Sequence, residues 1–106
     1  MNTPPVILAI AGSDPSGGAG IQADIKTVSA LGGYAAAAVT AITVQNTRGV
    51  AQVEYLSPET VGRQCGAVIE DLSPDAVKIG MTGTPAIISA IAEVLERYGC
   101  RNVVFD

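Results

Sequence analysis

The sequence predicts an α/β protein built on a mostly parallel sheet, and three observations carry that expectation. The aliphatic run at residues 6–10 is continuous, as in a strand buried on both faces, and residues 76–81 read as a further strand. Between such strands lie stretches with apolar residues at helical spacing. Apolar residues fill 48% of the 106 positions and aromatics only 4%, so the core has to be assembled from Ala, Val, Ile and Leu. A chain of this size buries roughly two thirds of its unfolded surface, enough for one core and one domain.

Taken in order, residues 6–10 form the first strand, bounded by Pro5 and Gly12. A polar loop carrying Gly17, Gly18 and Gly20 follows. Ile21, Ile25, Val28 and Leu31 then recur at helical spacing up to a Gly32-Gly33 stop. Residues 34–44 mix Ala with β-branched residues; Ala favours helix, but the cluster at 39–44 and the flanking glycines turn the second half towards strand. Residues 45–49 are polar and turn-rich, a loop at that strand's end, and 50–56 form a short, more exposed strand. Ser57, Pro58 and Glu59 supply the N-cap, the N1 proline and a first-turn acid of a helix. Its apolar stripe is Val61, Cys65, Val68, Ile69 and Leu72, and Pro74 ends it. After the strand at 76–81, Thr84 and Pro85 repeat the cap, and the next helix buries Ile87, Ile88, Ile91, Val94 and Leu95 before stopping near Gly99. A last strand occupies 102–105. The order is β-α-β-β-α-β-α-β. No helix follows the last strand, and parallel sheets have both faces covered, so the sequence is expected to be the first part of a larger α/β domain.

The net charge of −4 and the absence of a basic stripe argue against nucleic acid as a partner, because neutralising phosphates needs Lys and Arg. Cys65 and Cys100, with no His in the chain, are too few ligands for zinc and read as free thiols of a reducing compartment. Residues 1–5 lack the positive region of a signal peptide, and no apolar run reaches membrane-spanning length, so a cytoplasmic protein with no membrane partner is expected.

Ligands of open α/β sheets bind beyond the carboxyl ends of the strands. Those ends carry Gly12-Ser13-Asp14, Gln45-Asn46, Gly80-Met81-Thr82 and Asp106. The loop between the first strand and helix gathers backbone N–H groups at a helix N-terminus, where a polar or anionic ligand is favoured. It is not a P-loop, because Gly18 and Ala19 stand where Lys and Ser or Thr are required. A dinucleotide fingerprint can be written over residues 18–23, but the next strand ends in Gln45 and offers no acid for a ribose. Ser13 and Ser16 lack a His to activate them. Asp24 is either a solvated carboxylate near the helix start or an acceptor for a ligand's amine or hydroxyl. Gln45 is either a loop residue or an amide that donates and accepts along a heteroaromatic edge. Met81 is either core or an adaptable wall for a flat ring. Spacing alone leaves these alternatives open.

Residues 11–27 (AGSDPSGGAGIQADIKT), 39–47 (VTAITVQNT) and 77–81 (VKIGM) closely resemble the hydroxymethylpyrimidine and phosphomethylpyrimidine kinases of thiamin biosynthesis, in the ribokinase superfamily. The resemblance runs over residues 6–106. It implies a three-layer α/β/α ribokinase-like fold, incomplete here, with residues 1–106 as the N-terminal part of one kinase domain and the ATP-binding part absent. It implies transfer of the ATP γ-phosphoryl group to an aminopyrimidine's hydroxymethyl group and then to its monophosphate, with Mg²⁺, commonly by a homodimer. By resemblance the pyrimidine lies near Gly12 and Ala19, with Asp24 and Gln45 on its polar edge and Met81 beside it. Asp106 resembles the acid that opens the family's next motif, near the phosphates and Mg²⁺. No catalytic or ATP-binding residue is expected within the chain, which is therefore expected to be inactive alone. The alternatives are a non-catalytic module that binds a pyrimidine or completes its sheet with another polypeptide, and a dinucleotide-binding module.

Overall fold

Eight elements follow one another in the computed structural model, which describes residues 3–106. They are β1 (Val6–Ser13), α1 (Gly20–Ala30), β2 (Tyr34–Asn46), β3 (Gly49–Tyr55), α2 (Pro58–Leu72), β4 (Ala76–Ile79), α3 (Pro85–Arg97) and β5 (Val103–Phe105). The sheet order is β3-β2-β1-β4-β5, parallel throughout except for β3, which runs antiparallel to β2. The central strand β1 holds Leu8, Ala9, Ile10 and Ala11, all at most 1% exposed, which is why it reads as an unbroken aliphatic run.

One face of the sheet carries the main core. Leu8 and Ile10 of β1, Ala38 of β2, and Val77 and Ile79 of β4 pack against Val61, Cys65 and Ile69 of α2 and Ile87, Ile91, Val94 and Leu95 of α3. Alternation turns Ala9 and Ala11 to the other face, which α1 covers over β1 and β2. This face is thinner. Ile21 is buried, but Ile25 and Leu31 of the expected stripe are exposed, Leu31 by 83%, because no described element covers that side of α1. Ile88 of α3 is exposed as well, pointing away from α2 and the sheet.

Both helix caps form as the residue types dictate. Ser57 Oγ accepts from the Thr60 N–H and Thr84 Oγ1 from the Ile87 N–H, each with a proline at the start of the helix. Several strand boundaries differ from the sequence expectation, β1 among them, which runs on past residue 10 to Ser13. β2 begins at Tyr34, and Ala35 to Ala38 pair in register with Ile7 to Ile10, so pairing in the middle of a sheet overrides the helical preference of alanine. The expected loop at 45–49 contracts to a turn at Thr47 and Arg48, since Gln45 pairs with Val50 and Asn46 with Gly49. β4 ends at Ile79, after which the Gly80 N–H still donates to Ile10 O at 2.8 Å.

Topology locates the site. From β1 the chain crosses through α1 to β2 on one side, and β4, the partner on the other side, is reached through α2 on the opposite face. The carboxyl end of β1 is therefore a switch point, where adjacent connections diverge and leave a crevice.

Candidate functional site

A cavity of about 310 Å³ lies at that switch point. Gly12, Ser13 and Asp14 line it from the end of β1, Ala19 and Gly20 from the start of α1, and Gly80 and Met81 from the end of β4. Thr43 and Gln45 of β2, Val50 and Val53 of β3, and Lys78 of β4 complete its walls. A larger open groove of about 810 Å³ between α2 and α3 lies away from the strand ends.

The loop after β1 is held by its own side chains. The Asp14 carboxylate is 3% exposed and accepts from Ser16 N–H (2.8 Å), Ser16 Oγ (2.7 Å) and Gly18 N–H (3.1 Å). The Ser16 hydroxyl, helped by backbone N–H groups of Ser16, Ala19 and Gly18 and opposed by burial, holds its carboxyl below the usual value. Gln22, one turn into α1, bridges the loop: Oε1 accepts from the Asp14 N–H at 2.8 Å and Nε2 donates to Ser13 Oγ at 2.7 Å. Lys26 Nζ donates to Gly17 O at 3.0 Å. Ala19 is the N-cap of α1 and makes no side-chain cap, so the first-turn N–H groups beside the cavity carry no side chain on them.

Two threonines tie β2 to the neighbouring strand ends. Thr43 Oγ1 lies 2.7 Å from Ser13 O and 3.0 Å from Gln45 Oε1 and donates its one hydrogen to one or the other, beside the Gln45 amide at the cavity's edge. Thr40, fully buried, donates to Met81 O at 2.7 Å and fixes the backbone behind the Met81 side chain. Among the described residues no buried side-chain nitrogen or oxygen lacks a partner.

Gly12, Ala19, Gln45 and Met81 thus come together around one cavity, although 69 positions separate the first from the last. Asp24 stands one side chain behind the wall: both its oxygens lie 3.0 Å from Lys78 Nζ, and Lys78 reaches the cavity while Asp24 does not line it. Asp106 lies outside the cavity lining, exposed at the end of β5, its N–H donating to Ile79 O at 2.9 Å. Sequence reasoning passed over Lys78, Thr40, Thr43 and Gln22, and named Asp14 only as part of the polar rim. A signal existed for Lys78, a charge inside an otherwise aliphatic strand; nothing local marks the threonines, whose partners lie 30 and 41 residues away.

The cavity's chemistry is specific in outline. Of its two charged side chains, the Asp14 carboxylate is turned into its own loop, where neutral donors engage it, and Lys78 is balanced by Asp24. Val50, Val53 and Met81 give apolar walls, and the Gln45 amide gives a directional polar group. Such a site suits an uncharged, flat, heteroatom-bearing ring.

Known proteins share this fold. Residues 14–106 match the phosphomethylpyrimidine kinase family. The chain is 59% identical over 99 residues to a hydroxymethylpyrimidine/phosphomethylpyrimidine kinase of Rhizobium meliloti, an alignment covering 93% of this chain and 37% of that protein. The crystal structure of phosphomethylpyrimidine kinase from Clostridium difficile superposes with a TM-score of 0.92 at 53% identity, over 96% of this chain and 44% of that one. A pyridoxal kinase of Staphylococcus aureus, solved with AMP-PCP and pyridoxal, superposes with a TM-score of 0.86 at 37% identity, over 99% of this chain and 39% of that one. The chain therefore spans well under half the length of these relatives. On the family match over residues 14–106 and the shared ribokinase-like fold, the chain belongs to the phosphomethylpyrimidine kinase family.

Proposed function

We propose that this chain is the pyrimidine-binding, N-terminal part of a kinase domain that uses ATP to phosphorylate 4-amino-5-hydroxymethyl-2-methylpyrimidine and then its monophosphate in thiamin biosynthesis. The observation that carries the reading is the cavity at the switch point, whose charges are already partnered and whose walls join Gly12, Ala19, Gln45 and Met81. In this reading Gly12 and Ala19 form the floor under the ring. Gln45 donates to and accepts from its polar edge, and Met81 packs its polarizable thioether on the ring face. Asp24, with Lys78, completes the polar side. The task of these residues is orientation, which matters because phosphoryl transfer is catalysed almost entirely by positioning and electrostatic stabilisation.

The phosphoryl donor is assigned elsewhere. The loop at 12–20 lacks the P-loop lysine, and in this reading the ATP–Mg²⁺ site is supplied by residues of the kinase domain outside this chain. Asp106 is the one carboxylate assigned from here to the phosphate and Mg²⁺ network. No step of the transfer is assigned to residues of this chain.

The complete enzyme is proposed to be a homodimer. The outward face of the β2–β3 hairpin supports this, with Ile42 and Val44 each about half exposed, at 51% and 53%. No described helix is long and apolar enough to cross a membrane.

Activity decides the reading. A full-length protein carrying this sequence should phosphorylate the hydroxymethylpyrimidine with ATP, and the 106-residue chain alone should not. Turnover by the short chain alone would overturn the division of labour. Absence of turnover by the full-length protein would overturn the substrate.

A further inference from the structure

Lys78 sits where a lysine is least expected. It lies in β4 between Val77 and Ile79, both buried against α2 and α3, so alternation turns it to the opposite face, towards α1. Parallel strands covered on both faces are aliphatic, and lysine is seldom buried without a partner. The partner is Asp24: Nζ lies 3.0 Å from each carboxylate oxygen, and the two side chains are only 28% and 18% exposed. Gly80, two positions on, leaves the room the ammonium occupies, since a Cβ there would stand 3.1 Å from Nζ. Lys78 lines the cavity; Asp24 does not.

An ammonium has three N–H donors, and the two oxygens of Asp24 engage two of them. We infer that the third serves the cavity: Lys78 is a specificity-determining donor to a ring nitrogen of the bound heterocycle, and Asp24 is the positioning residue that fixes its rotamer and balances its charge. The inference rests on the reading of the cavity as a pyrimidine site and deepens it. Lys78 is the one cationic side chain in the lining, and the other charged one, Asp14, is committed to its own loop. A neutral pair that still offers a charged donor suits an uncharged ring with acceptor nitrogens, because it adds direction without attracting anions in general.

The test compares two probes by calorimetric titration of the full-length protein. One is 4-amino-5-hydroxymethyl-2-methylpyrimidine. The other is (2-amino-4-methylphenyl)methanol, which keeps the amino, hydroxymethyl and methyl groups but has no ring nitrogen. Lys78→Met should weaken the pyrimidine about tenfold or more, the worth of a hydrogen bond from a charged donor, and leave the carbocycle within about twofold. Asp24→Asn should show the same pattern at smaller size. Lys78→Met leaves a half-buried carboxylate unpaired, so the K78M/D24L double variant, which removes both charges, carries the test if the single variant does not fold. It should lose the same preference for the pyrimidine. Equal weakening of both probes in the Lys78 variants would reduce the pair to a structural brace and overturn the assignment. Equal weakening by Asp24→Asn would mean that Asp24 reads the ligand's amino group itself, which also overturns it. Failure of the parent protein to bind the pyrimidine would instead sink the pyrimidine reading, and this assignment with it.

Discussion

Gly12 and Gly20 meet at the base of the cavity and tolerate a side chain very differently. A Cβ on Gly12 would press on the terminal methyl of Met81, the free end of a flexible chain. A Cβ on Gly20, which has φ +60°, would press on the backbone carbonyl of Gly12, and the loop would have to open to relieve it. Gly20→Ala should therefore destabilise by more than about 1 kcal/mol in urea titration. Gly12→Ala should cost less stability but weaken pyrimidine binding, because Met81 is pushed into the space for the ring. Asp14 adds a pH dependence. Its folded carboxyl titrates below the usual 3.8, so its contribution is fully present above that value and is lost as pH falls through the lowered folded one. The stability difference between the parent and Asp14→Asn, followed by thermal melting, should be constant near neutrality and close on acidification below about pH 4.

At the level of elements, local chemistry fixes the helices and tertiary pairing fixes the strands. Ser57→Ala and Thr84→Ala each remove an N-cap hydrogen bond and should each cost about 1 kcal/mol by chemical denaturation, with the fold unchanged in circular dichroism. β2 depends on its neighbours. Its pairing with β3 starts at Ala41, and the N–H and C=O of Val39, beyond that pairing, are taken up by the Gln64 amide of α2, both at 2.9 Å. On the same helix Cys65 is fully buried, and burial pushes its thiol up to about 11. Alkylation at pH 8 followed by peptide mass mapping should modify the partly accessible Cys100 well before Cys65. Labelling of Cys65 at an equal rate would show that α2 opens readily from the sheet.

Over the whole molecule, the sequence by itself determined the order of elements, both proline-marked caps, the free thiols and the ring of polar residues at the strand ends. Each rests on short-range chemistry: a hydroxyl that reaches an N–H three residues on, an aliphatic run that survives only between two layers, a glycine where a chain turns. Only the tertiary structure decided the rest. It drew Ala35 to Ala38 into β2, since propensity is weaker than pairing between two strands. It left Leu31 and Ile88 in solvent, because periodicity says which face is apolar and not whether another element arrives to cover it. It also set Lys78 between Asp24 and the cavity, across 54 residues of chain. A lysine in a strand shows in the sequence that a partner must exist. Which carboxylate meets it, and that the pair borders the ligand space, follows only once β4 lies beside β1 with α1 packed above them, because that contact is made by the sheet order and not by any spacing along the chain.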